Sequence, residues 1–237
     1  MRNRSPRTLA LAGTLLAGVM PAYAAPNVIV NGSFEQPIAG NGNFRSFSAG
    51  DSGIPGWTIT GPGGTAVAIV DTNFSQNGVT FNAADGVQWL DLTGVTSNVR
   101  EGVAQVFATI PGEVYSIVFD LGNTTGGFVF GTQSDVSIEI NGVDLVGAPV
   151  VNADPDPTGL AYEEFTIPFT AATALTTLGF INDDPSSDNS NALDNVRVFD
   201  SGVNTSRADG QAVPEPASVL VLGLGLLGAA VVRRRRH

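Results

Sequence analysis

Hydrophobic and polar residues alternate with a period of two along much of the middle of the chain. The alternation is clearest in EVYSIVFDL (113–121), DVSIEI (135–140) and EEFTIPF (163–169). This period is typical of half-buried antiparallel strands, because successive side chains of a strand point to opposite faces. The further segments predicted as strands are NVIVNGSFE (27–35), GWTIT (56–60), AVAIVD (66–71), GVQWLDL (86–92), VAQVFATI (103–110), LTTLGFIN (175–182) and ALDNVRVF (192–199).

Turn residues separate these segments at short intervals. Asn141-Gly142 predicts a tight hairpin turn after DVSIEI, and Pro111-Gly112 predicts another turn. Residues 38–55 and 148–162 are expected to form two long loops, which are often functional. About ten short strands joined by glycine-rich turns predict an all-β fold, namely a jelly-roll β-sandwich. We place this sandwich at residues 25–200.

The N-terminal residues 1–24 have the pattern of a secretory signal peptide. Three arginines precede an apolar stretch, and Ala22 and Ala24 are the small residues expected at a cleavage site. The apolar stretch is short for a membrane-spanning helix, the other interpretation of such a segment. We therefore expect the chain to be exported and cleaved after Ala24.

The C-terminal tail (213–237) contains an uninterrupted apolar run. Residues 217–232 would form a helix of roughly 24 Å, slightly short for a bilayer core of about 30 Å. Arg233, Arg234, Arg235 and Arg236 follow it and would remain in the cytoplasm. These features predict a single membrane span, transient or permanent, attached to the sandwich by the polar linker 201–212.

Three parts of this tail occur in a distinctive order: Pro214-Glu215-Pro216, the apolar run and the arginine cluster. This arrangement resembles the PEP-CTERM sorting signal of Gram-negative bacteria. The resemblance implies that an exosortase-type membrane enzyme recognises the tail and processes it near the triplet. It also implies a host that makes exopolysaccharide, and a final location at the cell surface or in the extracellular matrix.

Composition excludes several functions for the body of the chain. Residues 25–232 hold four arginines against 22 acidic residues, a net charge of −18, so nucleic acid is not an expected partner. There is no cysteine, and the single histidine is His237. A serine–histidine triad and a histidine-ligated zinc site are therefore impossible within the body. Carboxylate chemistry of the glycosidase type is the catalytic option that remains.

The body resembles secreted galactose-binding-like jelly rolls, which include carbohydrate-binding modules and the choice-of-anchor domains. NGSFE (31–35), PGWTI (55–59) and ALDNVRV (192–198) are among the segments that carry the resemblance, which spans most of residues 27–199. It implies that the first and last strands are adjacent and share a structural calcium, held by Glu35 and Asp194. We expect Asp194 to point inward with Val196 and Val198. Alternatively, Asp194 lies at a strand end, solvated or capping backbone amides.

Large aromatic residues are candidates for stacking on a sugar ring. Trp57, Trp89 and Tyr162 are the candidate ligand-binding residues. Trp89 lies within an apolar strand pattern and Trp57 follows a Pro-Gly turn, so packing in the core is the simpler interpretation for both. Tyr162 lies beside a predicted long loop and is the candidate for an exposed platform.

Three functions fit these observations. The first is a non-catalytic exported protein that binds or organises exopolysaccharide. The second is a structural or adhesive matrix protein that calcium stabilises without sugar binding. The third is a carboxylate-based glycoside hydrolase, which the many acidic residues permit but do not indicate.

Overall fold

A computed structural model describes residues 25–94, 98–127, 129–185 and 190–201. The predicted signal peptide, including Ala22 and Ala24, lies outside the described residues, as do most of the linker and the whole tail. Among the described residues there is no helix with the length and hydropathy needed to cross a membrane.

The described residues form fourteen β-strands. They are β1 (Phe44–Ser48), β2 (Thr58–Thr60), β3 (Ala66–Asp71), β4 (Ser75–Gln76), β5 (Val79–Thr80), β6 (Gln88–Asp91), β7 (Gly102–Ala108), β8 (Val114–Asn123), β9 (Ser134–Ile140), β10 (Val143–Asp144), β11 (Val150–Asn152), β12 (Ala161–Thr170), β13 (Leu175–Asn182) and β14 (Ala192–Asp200).

The strands form two antiparallel sheets and one short hairpin. Sheet 1 has the order β1-β3-β6-β14-β8-β12, and sheet 2 has the order β10-β9-β13-β7-β2, with β11 also paired to β9. The hairpin consists of β4 and β5. Neighbours in sheet 1 are far apart in sequence, as β14 lies between β6 and β8. The predicted all-β jelly-roll sandwich is confirmed.

The main hydrophobic core lies between the two sheets. Period-two alternation places one face of each strand there, including Phe119 and Leu193 from sheet 1 and Phe180 from sheet 2. The rings of Phe119 and Phe180 meet edge to face, with their centroids 5.1 Å apart. This packing of two inward faces holds the sheets together.

A second, smaller hydrophobic cluster lies on the opposite, outer face of sheet 1. It consists of Ala68, Val70, Val79, Phe81, Trp89, Phe130, Leu160 and Ala192. Most antiparallel sheets in sandwiches expose their outer face to water. Here Val79 from the β4–β5 hairpin, and Phe81, Phe130 and Leu160 outside the strands, contribute apolar side chains to that face.

Most predicted strands are present, but three expectations were wrong. Residues 27–35 form no strand, although the amide of Val28 donates to Val198 and the amide of Val196 donates to Gly32, which places this segment beside β14. The two expected long loops, 38–55 and 148–162, contain β1 and β11 and the start of β12. The alternation in those segments is too short, and too rich in glycine or proline, to indicate strands.

The hairpin turn at Asn141-Gly142 forms as predicted. Both residues have positive φ values, 53° and 76°, and they connect β9 to β10. Two successive positive φ values suit the twist of a two-residue hairpin, and asparagine and glycine adopt them most readily.

Candidate functional site

One row of residues crosses the outer face of sheet 1 from β3 to the edge strand β12. The strand register aligns Ala68, Asp91, Ala192, Gly122 and Tyr162 on five neighbouring strands. Three of these residues, Ala68, Ala192 and Gly122, are small. A Cβ atom on Gly122 would lie 2.6 Å from the ring of Tyr162, so glycine is required for this ring to lie on the sheet.

Aromatic rings lie near Ala68 and Asp91, at one side of this row. Phe81 stacks on Trp89 with a centroid distance of 6.1 Å and meets Phe130 edge to face at 5.0 Å. Phe74 contacts Phe81 at 5.7 Å and Phe44 at 5.5 Å. Trp89 Nε1 donates to the carbonyl of Phe81 over 3.0 Å, which fixes the indole in place. The five rings form a continuous aromatic surface.

This aromatic surface lines a pocket of about 440 Å³. The volume lies in the range of roughly 300–1,000 Å³ that is usual for small-molecule sites. The lining residues are Phe44, Ala68, Val70, Phe74, Gln76, Phe81, Trp89, Asp91, Gly94, Val129, Phe130 and Ser190. An aromatic pocket with a few polar groups is the usual form of a ligand site, so we take it as the candidate functional site.

Asp91 is the one carboxylate among the residues that line the pocket. Burial raises its pKa from 3.8 to about 7, against the hydrogen bonds that stabilise the charged form. These bonds come from the hydroxyl and the amide of Thr93, at 2.7 and 3.0 Å, and from backbone amides of Asn191 and Gly94. With a pKa near neutrality, the carboxyl of Asp91 can accept a hydrogen bond when ionised and donate one when protonated.

Ser190 supplies the second buried polar group of the pocket. Its side chain is 1% exposed, and its Oγ has no hydrogen-bond partner within the described part of the chain. A buried hydroxyl without a partner costs free energy, and a ligand or a water can recover that cost. The serine backbone is held in place because its carbonyl accepts a hydrogen bond from Ser134 Oγ over 2.9 Å.

Asp194 does not point inward with Val196 and Val198 as we expected. A β-bulge shifts the register of β14 between Asp194 and Arg197, and Asn195 has a φ of 52°. The extra residue reverses the phase, so Val196 and Val198 face the inter-sheet core while Asp194 faces outward beside Asp120. Asp194 is nevertheless fully buried, because the loop around residues 84–85 lies over it.

The predicted calcium ligands Glu35 and Asp194 both bind the loop at residues 84–88. Asp194 Oδ2 accepts the amides of Ala84 and Asp85 at 2.9 Å, and Asp194 Oδ1 accepts the amide of Asn195 at 2.7 Å. Glu35 Oε1 accepts the amides of Val87 and Gln88, at 2.7 and 3.0 Å. Asp194 thus caps backbone amides, as in the alternative expectation, although it lies within β14 and not at a strand end.

The backbone amides around Glu35 and Asp194 do not suit a calcium ion. Calcium binds six to eight oxygen atoms, whereas the groups that face these two carboxylates are N–H donors, whose hydrogens repel a cation. Within the described residues, no group of three or more Asp, Glu, His or Cys side chains is placed to hold a metal ion. Burial raises the pKa of Asp194 to about 8, despite its three amide donors. Calcium binding by this chain remains a prediction.

The other aromatic candidates have structural contacts. Trp57 is 1% exposed in the inter-sheet core, near Phe34 and Phe180, and its Nε1 donates to the carbonyl of Asn31. Tyr162 is half-buried, and its hydroxyl donates to the carbonyl of Asn82, so the expectation of an exposed platform was wrong. Of the three candidates, Trp89 is the one that lines the pocket.

Sequence reasoning missed most of the pocket, including Asp91 and Ser190. One signal was present: Phe74 and Phe81 flank Asn77-Gly78, a hairpin turn signature. Large aromatic residues at both ends of a hairpin indicate that the hairpin packs against another part of the protein. No local sequence pattern indicated Ser190. Its place in the pocket depends on the packing of residues that are distant from it in the sequence.

Comparison with known proteins assigns the body to a family. A family model described as a protein of unknown function, DUF642, matches residues 27–198. The chain belongs to the DUF642 family. The match has nearly the same bounds as the sandwich, so the pocket lies within the DUF642 domain. No curated protein matches the chain.

The tail of this DUF642 protein carries a PEP-CTERM protein-sorting motif at residues 212–236. The predicted sorting signal is thereby confirmed, and it implies export and a membrane-associated sorting step. Pro214, Glu215, Pro216 and Arg233 to Arg236 fall within the matched motif but outside the residues that the structure describes. Their individual roles in processing remain predictions.

Solved cyclase structures share the fold of the DUF642 domain at low sequence identity. A Stig cyclase from Fischerella sp. TAU, solved with an indole compound, is 18% identical, with a TM-score of 0.55 over 76% of this chain and 100% of its own. An apo cyclase from Fischerella sp. is 19% identical, with a TM-score of 0.55 over 77% and 99%. A family 35 carbohydrate-binding module from Clostridium thermocellum is 12% identical, with a TM-score of 0.42 over 67% and 99%. At these identities the similarity concerns the fold alone.

Proposed function

We propose that this chain is an exported, non-catalytic protein of the cell surface or extracellular matrix that binds or organises exopolysaccharide. The observation that carries the proposal is the aromatic pocket on the outer face of sheet 1. Sugar rings have apolar C–H faces that pack on aromatic rings, while their hydroxyls need a few polar partners. Phe44 and Phe74, which are exposed and half-buried, offer the first kind of contact above the buried rings of Phe81 and Trp89. Asp91 and Ser190 offer the second.

The sorting motif supports the proposed location. A PEP-CTERM tail implies that an exosortase-type enzyme at the inner membrane of a Gram-negative bacterium processes the chain. The tail would then act as a transient anchor, and the acidic sandwich would reach the cell surface or the surrounding polysaccharide matrix. Nucleic acid is not a proposed partner, because the surface is strongly acidic.

The pocket chemistry supports binding over glycoside hydrolysis. Glycosidases place two carboxylates on either side of the scissile bond. The lining of this pocket contains a single carboxylate, Asp91, among the residues that the structure describes. The body also contains no histidine or cysteine that could serve as a base or nucleophile.

The proposal is tested with exopolysaccharide purified from the bacterium that makes the chain. The full chain, kept in mild detergent, is titrated with this polysaccharide in a calorimeter, beside the variant Phe44→Ala. Phe44 is 48% exposed at the rim of the pocket, so its removal should preserve the fold while weakening binding about tenfold. Absence of binding by the unmodified chain would refute the proposal, and equal binding by both proteins would refute the assignment to this pocket.

A further inference from the structure

The pocket has too few polar groups for an ordinary hexose. Three of its lining residues have polar side chains: Gln76, Asp91 and Ser190. Gln76 is exposed, Asp91 is half-buried and Ser190 is buried, so Asp91 and Ser190 are the polar side chains below the exposed rim of the pocket. The remaining lining side chains are apolar, and four phenylalanines and one tryptophan are among them.

A fully hydroxylated sugar would bury hydroxyls without partners in such a pocket. Each hydroxyl that leaves water without a new hydrogen bond lowers affinity by about tenfold. A methyl group in the place of a hydroxyl removes this cost and gains contact with the aromatic rings. The balance of the lining therefore favours a ring with fewer hydroxyls and an added apolar group.

The unpartnered Ser190 hydroxyl indicates where one remaining hydroxyl binds. Ser190 is buried and its Oγ has no partner among the described residues, although its backbone is held by Ser134. A ligand hydroxyl would complete its hydrogen bonding. The Asp91 carboxyl, which is fixed by Thr93, supplies a second partner.

We propose that the pocket binds a terminal deoxy-sugar residue of the polysaccharide, with its methyl group against the aromatic rings and its hydroxyls bonded to Ser190 and Asp91. This inference rests on the proposed function and specifies its ligand. A pocket of about 440 Å³ has room for a single terminal residue, whereas an internal residue needs an open groove on both sides.

Matched monosaccharide pairs test this selectivity. The full chain in mild detergent is titrated with methyl α-L-fucopyranoside and methyl α-L-galactopyranoside, which differ by one hydroxyl. Methyl α-L-rhamnopyranoside and methyl α-L-mannopyranoside form a second pair with the same difference. We expect the deoxy member of at least one pair to bind five- to tenfold more tightly than its hydroxylated partner.

Equal affinity within both pairs, or preference for the hydroxylated members, would overturn the inference. Absence of monosaccharide binding while the purified exopolysaccharide binds would also overturn it, and the proposed function would survive. If neither the monosaccharides nor the polysaccharide bind, both proposals fail. The outcomes thus separate the failure of the sugar class from the failure of polysaccharide binding.

The variant Ser190→Ala distinguishes a ligand contact from a structural role. Its hydroxyl makes no hydrogen bond in the described protein, so its removal should leave the melting temperature unchanged or slightly higher. Affinity for the preferred deoxy sugar should fall five- to tenfold. The control variant Ser46→Ala changes an exposed serine on β1 and should alter neither property. Unchanged affinity in Ser190→Ala would contradict the proposed contact.

Discussion

The two faces of sheet 1 use the same strands for different purposes. The inner face packs against sheet 2 with apolar side chains such as Ile117, Phe119 and Leu193, which are fully buried. The outer face holds Trp89 and Asp91, which are two positions apart on β6, and a pocket lies between them and the covering loops. Burial on the inner face maintains the fold, whereas incomplete filling on the outer face creates a site.

The largest expected effect comes from the inner face. Phe119→Ala removes a ring that contacts Phe165 and Phe180, with centroids 5.6 and 5.1 Å away. Because this core cannot collapse around the space, we expect a loss of about 3–5 kcal/mol in the free energy of unfolding.

Chemical denaturation of Phe119→Ala and Phe44→Ala side by side measures this difference. Phe44 is half-exposed on the outer face, so its loss should cost under about 1 kcal/mol. Similar costs for the two variants would contradict the division of roles between the faces.

The second expected effect is a pH dependence that arises on the outer face. The folded-state pKa of Asp194 is raised to about 8, so the protonated carboxyl favours folding, and this contribution is complete below about pH 4. It is lost as pH rises towards 8, with a slope of at most about 1.4 kcal/mol per pH unit. We expect thermal stability to fall between pH 5 and pH 8.

The variant Asp194→Asn isolates this residue, since an asparagine cannot ionise. Its stability should decrease less steeply over the same pH range than that of the unmodified chain. Protonated Asp91 also stabilises the folded state, and this stabilisation is lost as pH rises towards 7. Asp71 and Asp156 have lowered pKa values and titrate below this range. Parallel pH profiles for the two proteins would show that Asp194 is not the titrating group.

A smaller effect is expected at the bulge that separates the two faces along β14. Asn195 has a φ of 52°, and its Nδ2 donates to Asp120 Oδ2 over 2.9 Å. Asn195→Ala loses both the tolerance of this backbone conformation and the hydrogen bond, so we expect a cost of about 2 kcal/mol.

Asn195→Gly serves as the matched variant, because glycine adopts the conformation but cannot make the hydrogen bond. It should be more stable than Asn195→Ala by about 1 kcal/mol in denaturant titrations. If Asn195→Gly were the less stable variant, the positive φ at residue 195 would not explain why Asp194 lies on the outer face.

The sequence predicted the inner face far better than the outer one. Alternation in EVYSIVFDL and LTTLGFIN reports which residues face the partner sheet, and these segments became β8 and β13. The bulge at Asn195 could not be predicted from alternation, because one inserted residue reverses the phase without changing the composition. The expectation for Asp194 was wrong for this reason.

The pocket was beyond prediction for a related reason. Its rings come from β1, the segment around the β4–β5 hairpin, β6 and Phe130, and they meet only after the chain has crossed the sheet several times. Ser190 becomes a pocket residue only because these distant segments pack together. Trp89 was a candidate from its size alone, and its neighbours in sequence do not reveal which face it occupies.

The two tryptophans report separately on the inter-sheet core and on the outer pocket. Trp57 lies in the inter-sheet core and Trp89 lines the outer pocket, and they are the chain's two tryptophans. The variants Trp57→Phe and Trp89→Phe each leave one indole as a fluorescent reporter. On titration with the purified exopolysaccharide, we predict that the emission of Trp89 in Trp57→Phe shifts, while that of Trp57 in Trp89→Phe stays constant. A shift confined to Trp57, or no shift in either variant, would contradict a ligand site on the outer face of sheet 1.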